Sequence, residues 1–196
     1  MSSEEICQRI EGYFNLVTGA LAKIDCQKVE AVLHTLLEVY QAGGTVYLFG
    51  NGGSAANASH LHCDLTKSVS YGRRKRFSAV CLSENVPAMM AYANDFGWDK
   101  VFVGPLENTI KTGDLVIGFS CSGNSANVIK ALEYAKATGA RTIALCGNDG
   151  GKVKQIADLS LHVESRDVKV VEDVHLILCH CIKELLVEAL DGSAAT

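Results

Sequence analysis

The chain of 196 residues lacks the marks of secreted, membrane-bound and nucleic-acid-binding proteins. Its eight cysteines are scattered without a CxxC pair, which argues against a disulfide framework and fits a reducing cytoplasm. No apolar run approaches the roughly 20 residues that cross a bilayer, and the acidic start has no signal-peptide core. The net charge of −4 disfavours bulk attraction to nucleic acid or an anionic membrane. We therefore expect a cytoplasmic protein with neither partner.

Linkers and low-complexity tracts are also missing, and there are only two prolines. We therefore predict a single domain over residues 1–196, a length at which about 70% of the unfolded surface is buried on folding. Helical spacing of apolar residues predicts two N-terminal helices, Ile6–Ile24 and Lys28–Gln41. The second of them should stop at Gly43 and Gly44.

After these helices, β-rich segments alternate with helical ones. The predicted strands are Thr45–Phe49, Phe77–Leu82, Leu115–Phe119, Arg141–Cys146 and Leu159–Val163. Each is almost continuously apolar, as in a parallel sheet covered on both faces. The alternation predicts a doubly wound α/β domain with a five-stranded parallel sheet flanked by helices.

The last predicted helix, Val170–Leu190, is apolar on almost every side. Such a helix is either central in its own chain or packed against another copy. We expect a homo-oligomer in which this helix forms part of the interface.

Two glycine- and serine-rich loops follow the first and third predicted strands. They are Gly50–Asn57 (GNGGSAAN) and Ser120–Asn127 (SCSGNSAN). A strand that turns into a helix N-terminus presents backbone N–H groups and hydroxyls to one point, which is a phosphate-binding geometry. A tight turn alone explains the glycines of the first loop, but three serines exceed what one helix cap requires. Neither loop is a Walker A or a dinucleotide motif.

These loops, together with Ala93–Gly97 (ANDFG), resemble the sugar isomerase (SIS) domain family, and within it the phosphoheptose isomerases. The resemblance covers nearly the whole chain. It implies a zinc-containing, homotetrameric isomerase that interconverts sedoheptulose 7-phosphate and D-glycero-D-manno-heptose 7-phosphate. The residues that it assigns to the sugar phosphate are Asn51, Ser54, Asp95, Ser120, Ser122 and Ser125. We add Gly52, Gly53 and Glu172 to this predicted substrate set.

A polar cluster follows the first loop. His60 and Asp64 lie at i and i+4, on one helix face, where they can chelate a metal or act as a base and its orienting partner. A surface hydrogen bond is the simpler alternative. His62 should point elsewhere and be exposed.

The resemblance implies four zinc ligands: His60, Asp64, Glu172 and His180. Glu172 and His180 are eight residues apart, or about 12 Å of helical rise. Either the helix begins after Glu172, or different subunits supply the ligands. A rival set from one chain is Glu172, His175 and Cys179.

The chain departs from the family at several positions. Asp64 stands in place of the usual Glu, Glu172 in place of Gln, Lys169 in place of Asp, and residues 66–68 offer no Arg. The resemblance nevertheless implies Asp64 as the base and His180 as the complementary acid/base of an enediol mechanism. The alternatives are a scaffold protein of the replication-initiator-associating type, a sugar-phosphate sensor, and an isomerase of another ketose phosphate. A scaffold would carry no metal.

Overall fold

The structure is a computed structural model that describes residues 1–192, in which five parallel strands form one sheet. The strands are β1 (Thr45–Gly50), β2 (Ser78–Cys81), β3 (Leu115–Ser120), β4 (Arg141–Cys146) and β5 (Leu159–His162). Their order across the sheet is β2-β1-β3-β4-β5, and every neighbouring pair is parallel. The predicted strands and the sheet class are confirmed, with strand ends that differ by no more than one residue.

Helices cover both faces of this sheet. They are α1 (Ser3–Leu21), α2 (Cys26–Ala42), α3 (Gly53–Cys63), α4 (Val86–Phe96), α5 (Val103–Leu106), α6 (Ala126–Ala137), α7 (Gly151–Ile156) and α8 (Val168–Gly192). One apolar cluster joins the sheet to α1, α2, α3 and α8. A second cluster joins the opposite face to the segments from α4 to α7. The doubly wound arrangement predicted from the sequence is therefore present.

The first helix begins three residues earlier than predicted, because Ser2 and Glu5 form a capping box. The Ser2 hydroxyl accepts a hydrogen bond from the Glu5 backbone N–H at 3.2 Å, and the Ser2 N–H donates to Glu5 Oε2 at 2.6 Å. The second helix starts after Asp25, whose carboxylate caps it. It ends at Gly43, whose φ of 75° favours glycine.

The long helix α8 is central within its own chain. It packs against α1, α2 and α3, and buries a row of aliphatic residues against the sheet. Its apolar character is thus largely explained without a second copy. Ile177 on α8 and Phe14 on α1 are nevertheless exposed to solvent. The interface role of α8 stays a prediction, as does the single domain over residues 1–196.

Membrane insertion by a helix finds no support among residues 1–192. No helix in this part of the chain combines the length and apolarity that a bilayer crossing requires.

Candidate active site

The two serine-rich loops meet at the centre of the sheet. Strands β1 and β3 are direct neighbours although β2 lies between them in the sequence, so the chain reverses its direction of winding there. Ligands of open parallel sheets bind at such a switch point, beyond the carboxyl ends of the strands. Both loops, Asn51–Gly52 before α3 and Cys121–Ser125 before α6, lie at this end.

The helices that follow the loops begin without a side-chain cap. Gly52, with φ of 56°, is the N-cap of α3, and Ser125 is the N-cap of α6. Neither supplies a side-chain hydrogen bond to its helix. An N-terminus without such a bond keeps backbone N–H groups available to an anion.

Two reciprocal hydrogen bonds between side-chain amides join the two loops. Asn51 Nδ2 donates to Asn127 Oδ1 at 3.0 Å, and Asn127 Nδ2 donates to Asn51 Oδ1 at 2.8 Å. Asn127 Oδ1 also accepts from the Val128 N–H, which fixes that amide at the start of α6. The loops are therefore held in one relative position across 76 residues of sequence.

The predicted serines lie around this pair of hydrogen bonds, which we call the Asn51–Asn127 clasp. Ser120 Oγ donates to Ser125 Oγ at 3.1 Å, so the Ser125 hydroxyl has a partner other than its helix. Ser54 is buried, with its hydroxyl 3.5 Å from the Cys121 thiol. The Ser122 hydroxyl accepts from the Asn124 N–H at 3.2 Å and is exposed. The hydroxyls of Ser54, Ser120 and Ser125 thus contact side chains and do not cap a helix.

A cleft of about 450 Å³ opens next to the second loop. It is lined by Cys121, Ser122, Asn148, Asp149, Ser165, Arg166, Val168 and Val171. These residues come from the loops after β3, β4 and β5 and from the start of α8. The cleft has the size of a small-molecule site.

A second group of polar side chains forms where the end of α3 meets α8. His60 Nε2 lies 3.4 Å from Asp64 Oδ2 and 2.8 Å from His180 Nε2. The ligand atoms of the three residues all lie within 4.8 Å of one another. The predicted proximity of His60 and Asp64 is thus present, and His180 joins them from 120 residues away.

The carboxylate of Asp64 is buried and its two oxygens differ. Oδ1 accepts a hydrogen bond from Ser68 Oγ at 3.1 Å. Oδ2 is buried and has no hydrogen-bond partner among residues 1–192, although His60 Nε2 lies 3.4 Å away, within ion-pair distance. Asp64 begins a π-helical turn, Asp64–Ser68, which continues α3. Such turns are frequent at functional sites.

The residues of this cluster fit a divalent metal such as zinc. Two imidazoles and a carboxylate are ligands that zinc prefers. The Nε2 atoms of His60 and His180 share one proton in a hydrogen bond of 2.8 Å, and Asp64 Oδ2 beside them has no hydrogen-bond partner among the described residues, so a cation in place of that proton would contact all three. A single ion bound there would satisfy all three.

Glu172 does not join the other three proposed ligands in this chain. Helix α8 begins at Val168, before Glu172, which removes the possibility that the helix starts later. The Glu172 carboxylate instead lies beside the first loop, where a Cβ on Gly53 would approach it to 2.4 Å. Its Oε1 is 3.8 Å from Cys121 Sγ. Glu172 therefore belongs, within one chain, to the loop region.

The rival ligand set is wrong, because two of its members are buried in the core. His175 Nε2 donates to the Cys146 carbonyl at 3.3 Å, and its ring packs edge-on against Phe119. Burial lowers the pKa of His175 to about 4 and raises the pKa of the Cys179 thiol to about 12. Both side chains are therefore neutral parts of the packing and do not meet Glu172.

Two other predicted positions differ from expectation. Asp95 is exposed on α4, and its carboxylate accepts from Asn94 Nδ2 at 2.8 Å; among the described residues it bonds to no side chain of the loops. His62 is half-buried rather than exposed. Its Nδ1 lies 3.2 Å from the Glu84 carboxylate, which also accepts from Ser59.

Sequence reasoning did not single out Asn127, Ser83 or Ser68. Asn127 is the last residue of the second serine-rich loop, so its place in the sequence could have indicated a role in the site. The Ser83 hydroxyl accepts from the Gly50 N–H at 3.0 Å and donates to the Gly50 carbonyl at 2.9 Å, thereby fixing the end of β1. No local pattern indicates this contact, because the pairing of β1 with β2 creates it.

The fold and these loops define a family. The SIS domain model matches residues 12–147, and the chain belongs to the SIS domain family.

Similar proteins within that family share one name, phosphoheptose isomerase. A probable phosphoheptose isomerase of Thermoplasma volcanium is 36% identical over 173 residues, 88% of this chain and 88% of the relative. A phosphoheptose isomerase of Helicobacter pylori (strain P12) is 41% identical over 155 residues, 77% of this chain and 80% of the relative. The solved phosphoheptose isomerase of Neisseria gonorrhoeae superposes with a TM-score of 0.85 at 30% identity, covering 92% of this chain and 98% of that one.

Proposed function

We propose that the chain is an aldose–ketose isomerase of sugar phosphates, converting sedoheptulose 7-phosphate to D-glycero-D-manno-heptose 7-phosphate through an enediol. The observation that carries the proposal is the convergence of His60, Asp64 and His180 in a protein whose loops have the geometry of a phosphate site. A scaffold or a sensor has no need of this cluster. The names and identities of the relatives support the same reaction.

The phosphate is bound at the paired loops. Ser54, Ser120, Ser122 and Ser125 supply hydroxyls, and the starts of α3 and α6 supply backbone N–H groups and the positive ends of their helix dipoles. The amide clasp between Asn51 and Asn127 holds the two halves of this site in place. Binding energy from the remote phosphate fixes the position of the reacting carbons.

The proton transfer is assigned to Asp64 and His180. Asp64 removes the proton from C1 of the ketose, which gives the enediol, and returns it to C2, the former carbonyl carbon; Oδ2, which has no hydrogen-bond partner among the described residues, is the oxygen available for both transfers. His180 exchanges protons with the sugar oxygens and assists ring opening. His60, Asp64 and His180 would hold zinc, which as a Lewis acid would supply polarisation of the substrate oxygens.

The distance between loop and cluster implies a site shared by two copies of the chain. Gly53 and Asp64 are the first residues of α3 and of the π-helical turn, eleven positions apart, or about 16 Å of helical rise. Glu172, the fourth ligand that the resemblance implies, also lies beside the loops and apart from the other three in this chain. We infer that the loops of one copy face the cluster of another in a homo-oligomer, a tetramer as the family resemblance implies. Glu172, beside the loops, would then reach the ion held by the other copy.

The reaction is tested with purified protein and a panel of ketose phosphates of five to eight carbons, with and without zinc. Aldose formation from the seven-carbon substrate is expected, and Asp64→Asn should abolish it. Metal content should be about one divalent ion per site. A protein that isomerises none of the panel and contains no metal would support the scaffold alternative. Strong conversion of a different chain length would support the isomerase but change its substrate.

The shared site is tested by mixing two inactive variants. Ser122→Ala with Ser125→Ala impairs the loops, and His180→Ala impairs the cluster. After the subunits of these variants are exchanged, mixed oligomers should regain part of the activity, because some interfaces then combine an intact loop with an intact cluster. The same mixture kept from exchanging subunits is the control. No recovery after proven exchange would contradict the shared site.

A further inference from the structure

The buried carboxylate of Asp64 is held by one oxygen and free at the other. Ser68 Oγ donates to Oδ1 at 3.1 Å, while Oδ2 faces His60 Nε2 at 3.4 Å without a hydrogen bond. A carboxylate with no fixed oxygen can rotate about its last bond. The Ser68 contact therefore decides which oxygen is presented to the two histidines.

Ser68 lies at the end of the π-helical turn that Asp64 begins. The Val69 N–H donates to the Asp64 carbonyl at 2.8 Å, five residues back, so the turn holds about one residue more than an α-helical turn. Ser68 follows Asp64 by four residues, a spacing at which side chains on a helix are neighbours, and the two side chains bond. Ser68 is half-buried, so water competes less for its hydroxyl than at a fully exposed position.

Two neighbouring hydroxyls show what a purely structural role looks like in the same segment. Thr66 Oγ1 donates to the His62 carbonyl at 2.8 Å. Ser70 Oγ donates to the Leu65 carbonyl at 2.6 Å and accepts from the Phe77 N–H at 2.9 Å. Both bond only to the backbone. The Ser68 hydroxyl differs because its partner is the side chain of the proposed base.

We propose that Ser68 is a positioning residue for Asp64. Its hydroxyl holds Oδ1 so that Oδ2 is directed at His60 and His180, for both proton abstraction and metal ligation. The inference rests on the proposed function for its catalytic part. The orientation of the Asp64 carboxylate is important because this side chain is one methylene shorter than Glu and reaches less far.

The test compares Ser68→Ala, Ser68→Thr and the matched control Thr66→Val. Zinc affinity is measured by competition with a chromophoric chelator, and kcat and KM are measured with the seven-carbon ketose phosphate. Loss of a group that orients a metal ligand costs roughly 10- to 100-fold in metal affinity or activity. We expect that loss in both zinc affinity and kcat for Ser68→Ala, with KM changed less than about twofold because the phosphate loops are intact.

Ser68→Thr retains the hydroxyl and should restore most of both quantities, whereas Thr66→Val should behave like the wild type. Wild-type zinc affinity and kcat in Ser68→Ala would overturn the proposal. An equal loss in Thr66→Val would also overturn it, because the effect would then come from the turn as a whole. If the wild type binds zinc but isomerises nothing, the proposed function fails and zinc affinity alone decides the role of Ser68. A wild type that does neither refutes both.

Discussion

Acid should destabilise the fold through His175, a buried residue that the proposed chemistry does not use. Its ring is fully buried, Nε2–H donates to the Cys146 carbonyl, and Nδ1 has no partner. Protonation would place a second N–H at Nδ1, an atom that has no hydrogen-bond partner among residues 1–192. Burial is the main cause that lowers the pKa of His175 from 6.5 to about 4; the Cys146 hydrogen bond opposes this, and His162 adds to it.

The sign follows from proton binding. Between pH 6.5 and about 4 the unfolded chain binds a proton at residue 175 and the folded chain does not. Stability is therefore complete above the upper value and is lost as the pH falls through this window. At about pH 4.5 the loss at this residue is about 2.5 kcal/mol, since each pKa unit corresponds to about 1.4 kcal/mol. This is a large part of the about 5–15 kcal/mol that stabilises a typical domain.

The assay is urea unfolding of the wild type and of His175→Gln at about pH 7 and about pH 4.5, at one protein concentration because oligomers unfold in a concentration-dependent way. Glutamine keeps a donor for the Cys146 carbonyl and does not titrate. The variant is expected to be less stable than the wild type at the higher pH, and to lose about 2.5 kcal/mol less on acidification. Carboxylates titrate in both proteins and cancel in the comparison. Equal losses in the two proteins would refute the reasoning.

Three further predictions concern the site. Asn127→Ala removes both hydrogen bonds to Asn51, each worth about 1 kcal/mol, and should raise KM about tenfold with a smaller change in kcat; an unchanged KM would show that the clasp does not position the loops. Gly53→Ala places a Cβ 2.4 Å from the Glu172 carboxylate, so that this carboxylate must move, and should raise KM; an unchanged KM would show that the position of the Glu172 carboxylate does not affect substrate binding. Removal of metal with a chelator should abolish turnover and zinc should restore it, as followed by aldose formation; full activity without metal would contradict the metal's role.

The sequence was sufficient for the sheet and for the two loops. Continuous apolar runs marked every strand, and the glycine and serine clusters marked where β1 and β3 end. Helix starts were less accurate because a cap is decided by a few atoms, as the Ser2–Glu5 box shows. The apolar character of α8 left open whether the helix is central in its own chain or packed against another copy, and the packing of α1, α2 and α3 accounts for most of it.

The site was predictable only where its spacing is local. His60 and Asp64 share one helical face, and their proximity followed from that spacing alone. His180 was assigned by family resemblance, since contact across 120 residues depends on the packing of α8 against α3. Ser68 lies four residues after Asp64, so the same spacing could have indicated its contact with that carboxylate. The contact of Ser83 with Gly50, by contrast, is created by tertiary structure and had no local signal.

The separation of the site residues along the chain has a consequence for biosynthesis. The hydrogen bonds between Asn51 and Asn127 can form only after β3 has paired with β1. The contact between His60 and His180 can form only after α8, the last described element to be made, has docked. A growing chain on the ribosome therefore holds both serine loops before it holds the histidine that completes the cluster. Contacts of such long range form late in folding. Metal binding should thus appear only after this helix has emerged and docked, and the proposed shared sugar site only after a second copy has joined.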